Sequence, residues 1–431
     1  MQQLYSERVF LNIAGKESSQ TVRLTLHLKD SVDGQILKDA VEATRLRYPY
    51  HCVKLCIAKD DNGLEHYAYD NNMQPWVTTQ GRKQVTLLSK DSNDHLLAFA
   101  WWDSYIALDF FYPLTDGTGA YRILRTLLYE YCRRRYDNTL SNEGVWTFGD
   151  TISEEELVDP ATLPRPTVQP SQSATEKPQA INLFSQAKAP YREDLREVIH
   201  ILLDESEVMQ HIHKGKVSPT SWFSALLARA IGHLHLDATP AVPTISIAVN
   251  LRQATGTPLA HQPMVGSIPL PLRQDLLQQG VERQSAEFRE MILEQIKPEN
   301  LQAYYWKMQD GVSQLEQVPS LKMRHDLLTQ AHQQVRQTAT ASLSYVGKAN
   351  MGAAEQYIQD IRTESTSLFP ILVEISAVNG TYCISFMQLF TEDDYLNAFV
   401  DELKKQGLHV KIADGHPIEL ASIADFRHGR T

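Results

Sequence analysis

The chain has 431 residues, 42% hydrophobic, 22% charged and 9% aromatic, a balance that excludes disordered, fibrous and disulfide-stapled classes and allows roughly two to four domains. Its 41 basic and 52 acidic residues leave a net charge of −11, unsuited to a phosphate backbone or an anionic lipid surface, so no nucleic-acid partner is expected. Residues 1–15 include Glu7 and Arg8 and lack an apolar run of secretory length, and the oily stretch 96–114 is broken by Asp103 and Asp109. The expectation is therefore a cytoplasmic protein with no membrane span. Cys52, Cys56, Cys132 and Cys383 lie too far apart for a zinc ribbon and read as buried free thiols.

In chain order, Val22, Leu24, Leu26 and Leu28 alternate with Arg23, Thr25 and His27, the period of a strand with one apolar face and His27 on the wet side. A helix follows from Ser31, with Leu37, Ala40, Val41 and Thr44 on one face, and ends before Tyr48-Pro49. Residues 51–57 and 65–69 are short strand candidates. Residues 96–102 and 105–111 read as two apolar strands, the second running into a loop at Tyr112-Pro-Leu-Thr-Asp116-Gly117-Thr-Gly119. Ala120, Ile123, Leu124, Leu127, Leu128, Tyr131 and Cys132 then form one helical stripe, closed by the cations Arg133 to Arg135 at the negative end of the dipole.

Six prolines between Pro160 and Pro190, among Ser, Thr and Gln, mark a linker. Beyond it, residues 198–203 read as a strand, and Ser218-Pro219 caps a helix carrying Phe223, Leu226, Leu227, Ala230 and Ile231. The strand 244–249 ends at Asn250-Leu-Arg252. Residues 372–378 and 382–387 flank Asn379-Gly380, suited to a two-residue hairpin turn, and a helix opens near Asp394. Two histidine pairs, His211/His213 and His233/His235, have i, i+2 spacing but no third ligand, so no metal site is expected. No phosphate loop, GxGxxG, GxSxG or HExxH motif is present.

The segment Asp109-Phe-Phe-Tyr-Pro-Leu-Thr-Asp-Gly-Thr-Gly119 sets an aromatic hydroxyl and a carboxylate four residues apart on a tight loop. It resembles the HHxxxDG motif of the condensation-domain and chloramphenicol-acetyltransferase-like superfamily of acyl-CoA-dependent acyltransferases, closest to the alcohol O-acetyltransferase branch. Phe111 and Tyr112 stand where the two histidines belong, while Asp116 and Gly117 match. The resemblance extends in order to Arg47-Tyr-Pro49 (an "RxP" turn), Asn250-Leu-Arg252 with Pro263-Met-Val-Gly266 ("DxR … NxxG"), and Ser342-Leu-Ser-Tyr-Val-Gly347 (the "SNxG" strand).

The resemblance implies an α/β fold with mixed sheets. Two chloramphenicol-acetyltransferase-like domains, residues 1–157 and 194–431, would be joined by the crossover 158–193 and meet along a tunnel. One chain would supply both walls of the tunnel, so a monomer is the expected state. The resemblance further implies an acyl-CoA or acyl-carrier-protein thioester as co-substrate with no permanently bound cofactor, and a small alcohol or amine as acceptor. Tyr112, Asp116 and Ser344 would carry the catalytic site, with Asp116 paired to Arg252 and with Gly117, Gly266 and Gly347 in support. Ser342 or Ser344 would serve the oxyanion, and His261, just before Pro263, is the candidate substitute base.

Tyr112 is the point of departure. A phenol with an ordinary pKa of about 10 is a poor base at neutral pH, whereas the family's histidine titrates near it. Three readings stand: a cation activates Tyr112, another histidine reaches the site, or the protein binds an acyl thioester or another ligand in the tunnel without catalysis. Tyr112 also suits an aromatic filler at a strand end, and Asp116 a helix cap.

Overall fold

The computed structural model describes residues 2–3, 8–15, 19–167, 178–192, 196–238 and 240–418. Part of the expected proline-rich linker, including Pro170, lies outside the described residues, as does part of the 1–15 segment. Among the described residues no helix is long and apolar enough to cross a membrane.

The first of two large sheets has five strands in the order Ile358–Glu364, Thr21–Leu28, Tyr105–Phe111, Leu97–Trp102, Thr78–Gln80. Leu24 and Leu26 sit opposite Leu108 and Ile106, so one apolar face is continuous across the two strands. The helices Gly34–Arg47 and Gly117–Arg135 join the same buried cluster through Leu37, Ala40, Val41, Ile123, Leu124 and Leu127, each large aliphatic side chain contributing about 1.5–3 kcal/mol by burial. The first helix starts at Gly34 rather than Ser31 because Asp33 caps it, accepting from the Gln35 and Ile36 N–H groups.

The opposite face of this sheet is not wet, contrary to the alternation of residues 22–28. Strand Ile358–Glu364 comes from the C-terminal half and pairs with Thr21–Leu28, and the far edge of the second sheet covers what alternation marks as solvent-facing. A buried charged seam results. Arg23 grips Asp109 through two bonds of 2.7 and 2.8 Å. Arg362 bridges Asp360 at 2.8 Å and Asp414 at 2.6 Å, and His27 Nδ1 lies 2.8 Å from Asp360.

The second sheet runs Val265–Pro271, Thr244–Asn250, Ala341–Lys348, Ile371–Val378, Thr381–Gln388, Arg196–Asp204, Lys411–Ile418. Helices Pro219–Leu234 and Asp394–Lys405 close its core through Phe223, Leu226, Phe399 and Leu403. Asn379 and Gly380 both take positive φ, 46° and 79°, in the turn between Ile371–Val378 and Thr381–Gln388, as a type I′ hairpin requires. Three long helices, Val281–Gln295, Pro298–Leu315 and Leu321–Val335, were not read from the sequence; their Gln- and Glu-rich faces dilute the apolar stripe. The two histidine pairs lie on or beside helices: His211 stacks on Trp222 and His235 lies 2.8 Å from the Tyr395 hydroxyl. Among the described residues no group of His, Cys, Asp and Glu is arranged to hold a metal.

Candidate functional site

Strand Tyr105–Phe111 carries Phe111 into the core and ends where Tyr112 opens a short 3-10 turn with Pro113 behind it. The Tyr112 N–H donates to Gln20 O at 2.6 Å, and its ring meets Phe10 edge-on at 5.0 Å. Four residues on, Asp116 caps the helix Gly117–Arg135 by accepting from Gly119 N at 3.2 Å. The same carboxylate takes two hydrogen bonds from Arg252, at 2.7 and 2.9 Å, and one from Met264 N at 2.8 Å. Cap and ion pair thus coexist on one side chain. Arg252 is buried and also donates to Ala260 O and Gln262 O at 2.8 and 2.7 Å and, at 3.4 Å, to Asn250 Oδ1, a planar fork with five oxygen acceptors.

Further bonds fasten this loop and the helix after it to the C-terminal half. Thr115 Oγ1 donates to His261 O at 2.7 Å, and Arg122 donates to Leu259 O at 2.7 Å. Of the nearby glycines, the sterically demanding one is Gly119: a Cβ there would lie 1.9 Å from Thr115 Oγ1 and 3.3 Å from His261 O. At Gly117 a Cβ would meet only Val346, at an ordinary 3.4 Å. Gly119→Ala is therefore expected to lose about 1–3 kcal/mol of stability by overpacking, read as a drop in the urea midpoint. A Gly119→Ala midpoint equal to that of the wild type would contradict this packing, and Gly117→Ala is the control expected to fold normally.

The loop forms one wall of a cavity of about 370 Å³ between the two halves. Strands Thr244–Asn250, Val265–Pro271, Ala341–Lys348 and Ile371–Val378 supply the other wall, with Ser246, Gly266, Ser342, Ser344 and Glu374 along it. Gly266 admits the Tyr304 ring, which a Cβ would approach to 2.7 Å. Gly347 (φ 92°) sits where the pairing with Ile371–Val378 slips between Tyr345 and Lys348; it shapes the strand and does not line the cavity.

Tyr112 lines the cavity beside Asp116. Burial, reinforced by the negative charges of Asp116 and Glu374 and only partly opposed by Arg252, holds its hydroxyl well above the ordinary phenol range. It remains a neutral hydrogen-bond donor. The cation that was to activate it is outweighed. His261 is corrected more fundamentally: it lines no part of the cavity. Its Nδ1–H donates to Glu156 O at 2.7 Å, its ring packs against Tyr50 at 4.6 Å, and burial lowers its pKa to about 4. Among the described residues no histidine lines the cavity.

Glu374 is the residue that sequence reading missed. It pairs in register with Ser344 on the adjacent parallel strand, so the two side chains share the face that lines the cavity. Burial raises that carboxyl to about 7 against the pull of the serine. Ser344, expected at the oxyanion, lines the cavity beside Glu374. The available signal was a lone carboxylate in the apolar run Ile371-Leu-Val-Glu-Ile-Ser-Ala-Val378.

No protein-family model matches the sequence, and no curated protein does. Solved structures do match in shape. TRI101 of F. graminearum, complexed with coenzyme A and T-2 mycotoxin, superposes with TM-score 0.59 at 11% identity, covering 95% of this chain and 99% of that one. The polyketide synthase associated protein 5 of Mycobacterium tuberculosis gives 0.58 at 13% identity, over 94% and 96% of the two chains. The first condensation domain of the CDA synthetase gives 0.57 at 11%, over 94% of each. The chain has the fold of these structures, that of a condensation domain. Within that fold the matching spans both halves, so the cavity lies inside the shared architecture rather than in an appended segment.

Proposed function

We propose that the protein transfers an acyl group from a coenzyme A or carrier-protein thioester to an alcohol or amine held in this cavity. It acts as a monomer whose lobes are residues 1–157 and 194–431, with 158–193 crossing between them and the strand Ile358–Glu364 of the second lobe added to the sheet of the first. The observation that carries this reading is the cavity itself, lined on one side by Tyr112 and on the other by Ser344 and Glu374. Acceptor and thioester meet there in one step: the acceptor attacks the thioester carbonyl, a tetrahedral oxyanion forms, and the thiolate leaves. Holding both partners in line replaces a bimolecular encounter by a positioned one. A volume of about 370 Å³ is at the small end of ligand pockets, which suits a short acyl group and the reacting end of a small acceptor, the nucleotide end of coenzyme A remaining outside.

In this reading Tyr112, locked in its neutral form, donates to the developing oxyanion. Tyr112→Phe is expected to bind coenzyme A with unchanged affinity and to lose about 10²–10³-fold in turnover, the usual effect of removing one oxyanion donor. The measurement is release of free thiol from acyl-CoA across a panel of alcohols and amines, with calorimetry for binding. A second reading, a catalytically inactive member that holds an acyl thioester, is favoured by the neutral phenol standing where the resembling family has its base. Wild-type protein that binds coenzyme A without releasing thiol, and that gains turnover only as Tyr112→His, would select it. Absence of both binding and turnover with coenzyme A and with carrier-protein thioesters alike would sink both readings.

A further inference from the structure

We propose that Glu374 is the general base of this site, taking the proton of the acceptor and returning it to the departing thiolate. The inference rests on the acyl-transfer reading and adds the group that the chemistry lacks once Tyr112 and His261 are set aside. Among the described residues, Asp116 and Glu374 are the two carboxylates that line the cavity, and no lysine, arginine or histidine does. Asp116 is already engaged by Arg252, Met264 N and Gly119 N. Glu374 is therefore the acid–base group left for a ligand.

Its setting is built to hold it. Glu374 stands on a central strand of the second sheet, in register with Ser344 on one side and Ser385 on the other. Ser344 stands beside the carboxylate on the cavity wall, and the two carboxylate oxygens accept about four hydrogen bonds in all, so capacity remains for the acceptor. Its register partners are Ser344 and Ser385, and Thr363 of Ile358–Glu364 lines the same cavity. Tyr121 of the helix Gly117–Arg135 and Tyr112 of the loop feel its charge, and behind Ser385 lies His200, whose pKa burial lowers to about 4. None carries a positive charge. Burying a carboxylate without a cation is costly, and its consequence here is a carboxyl whose pKa of about 7 matches what proton abstraction at neutral pH requires.

The step balances. The acceptor's O–H or N–H bond breaks, its proton passes to a Glu374 oxygen, and the freed electron pair forms the bond to the thioester carbonyl carbon. The C=O π pair becomes the oxyanion. Collapse restores C=O, breaks the C–S bond, and the thiolate takes the proton from Glu374, regenerating the carboxylate.

The test compares wild type, Glu374→Gln and Glu374→Asp in kcat/KM for acyl-CoA thiol release with alcohols and amines over pH 5–9, roughly, with coenzyme A affinity and melting temperature measured in parallel. For wild type, the rate falls as pH drops through about 7, because protonation removes the base. Glu374→Gln is expected to lose about 10²–10⁴-fold in kcat, to keep coenzyme A affinity, and to lose that acid limb. Glu374→Asp should retain part of the rate and the limb. Glu374→Gln with wild-type turnover, or with the acid limb intact, overturns the proposal while leaving acyl transfer standing. Wild type that binds coenzyme A yet transfers nothing overturns it in favour of the binding reading. Wild type that does neither removes the acyl-transfer reading and the base with it.

Discussion

Arg252→Ala is expected to lower folding stability by about 3–5 kcal/mol, the range for breaking a buried ion pair from one side. The guanidinium is buried and reaches Asp116, Ala260 O and Gln262 O. Its removal strands the Asp116 carboxylate with only the Met264 and Gly119 N–H groups. Because domains are stable by only about 5–15 kcal/mol, such a loss is a large fraction of the total. The loop bearing Tyr112 would also lose its main tie to the other half, so turnover should fall with stability. The informative measurement is a double-mutant cycle by urea denaturation. The double variant Asp116→Leu/Arg252→Met should lose much less than the sum of Asp116→Leu and Arg252→Met, since no unpaired charge remains. Additive losses, or an Arg252→Ala midpoint equal to that of the wild type, would refute the pair as a structural tie.

The second large effect is expected at the charged seam. Asp109→Ala leaves Arg23 buried without its bidentate partner and removes the acceptor of Val85 N. A loss of about 3–5 kcal/mol follows from the uncompensated guanidinium. Asp109→Asn keeps a hydrogen-bonding oxygen but no charge, so it should fall between wild type and Asp109→Ala in thermal and chemical denaturation. An order in which Asp109→Asn is the worse of the two, or no shift for either, would show that Glu364 and the Arg82 carbonyl hold Arg23 unaided.

Local patterns were the readable part of this fold. The alternation of residues 22–28 and the stripe Ala120 to Cys132 mark side chains that touch neighbours close in sequence, and Ser218-Pro219 and Asn379-Gly380 act through their own backbone geometry. The Asp116–Arg252 pair, by contrast, joins two segments far apart in the chain, and it was legible only through the family resemblance. Proximity in sequence misled at His261: it neighbours the cavity-lining Met264 and Gly266, but the Arg252 fork and Thr115 fix the carbonyls around it, and its ring turns toward Glu156 and Tyr50. Glu374 was hidden for the opposite reason. Nothing in its own strand reveals that one face of that strand looks into a cavity; only the sheet register beside Ser344 does. His27 was assigned to water because alternation cannot see the strand Ile358–Glu364 arriving across it.

That late-arriving strand has a consequence for biosynthesis. While the polypeptide emerges from the ribosome, Thr21–Leu28 forms one side of a sheet whose neighbour, Ile358–Glu364, has not yet been made. Until then its backbone donors and acceptors are open to any passing extended chain, the usual route to aggregation. Truncated products ending before residue 358 are therefore expected to accumulate as insoluble material rather than as a free-standing folded fragment.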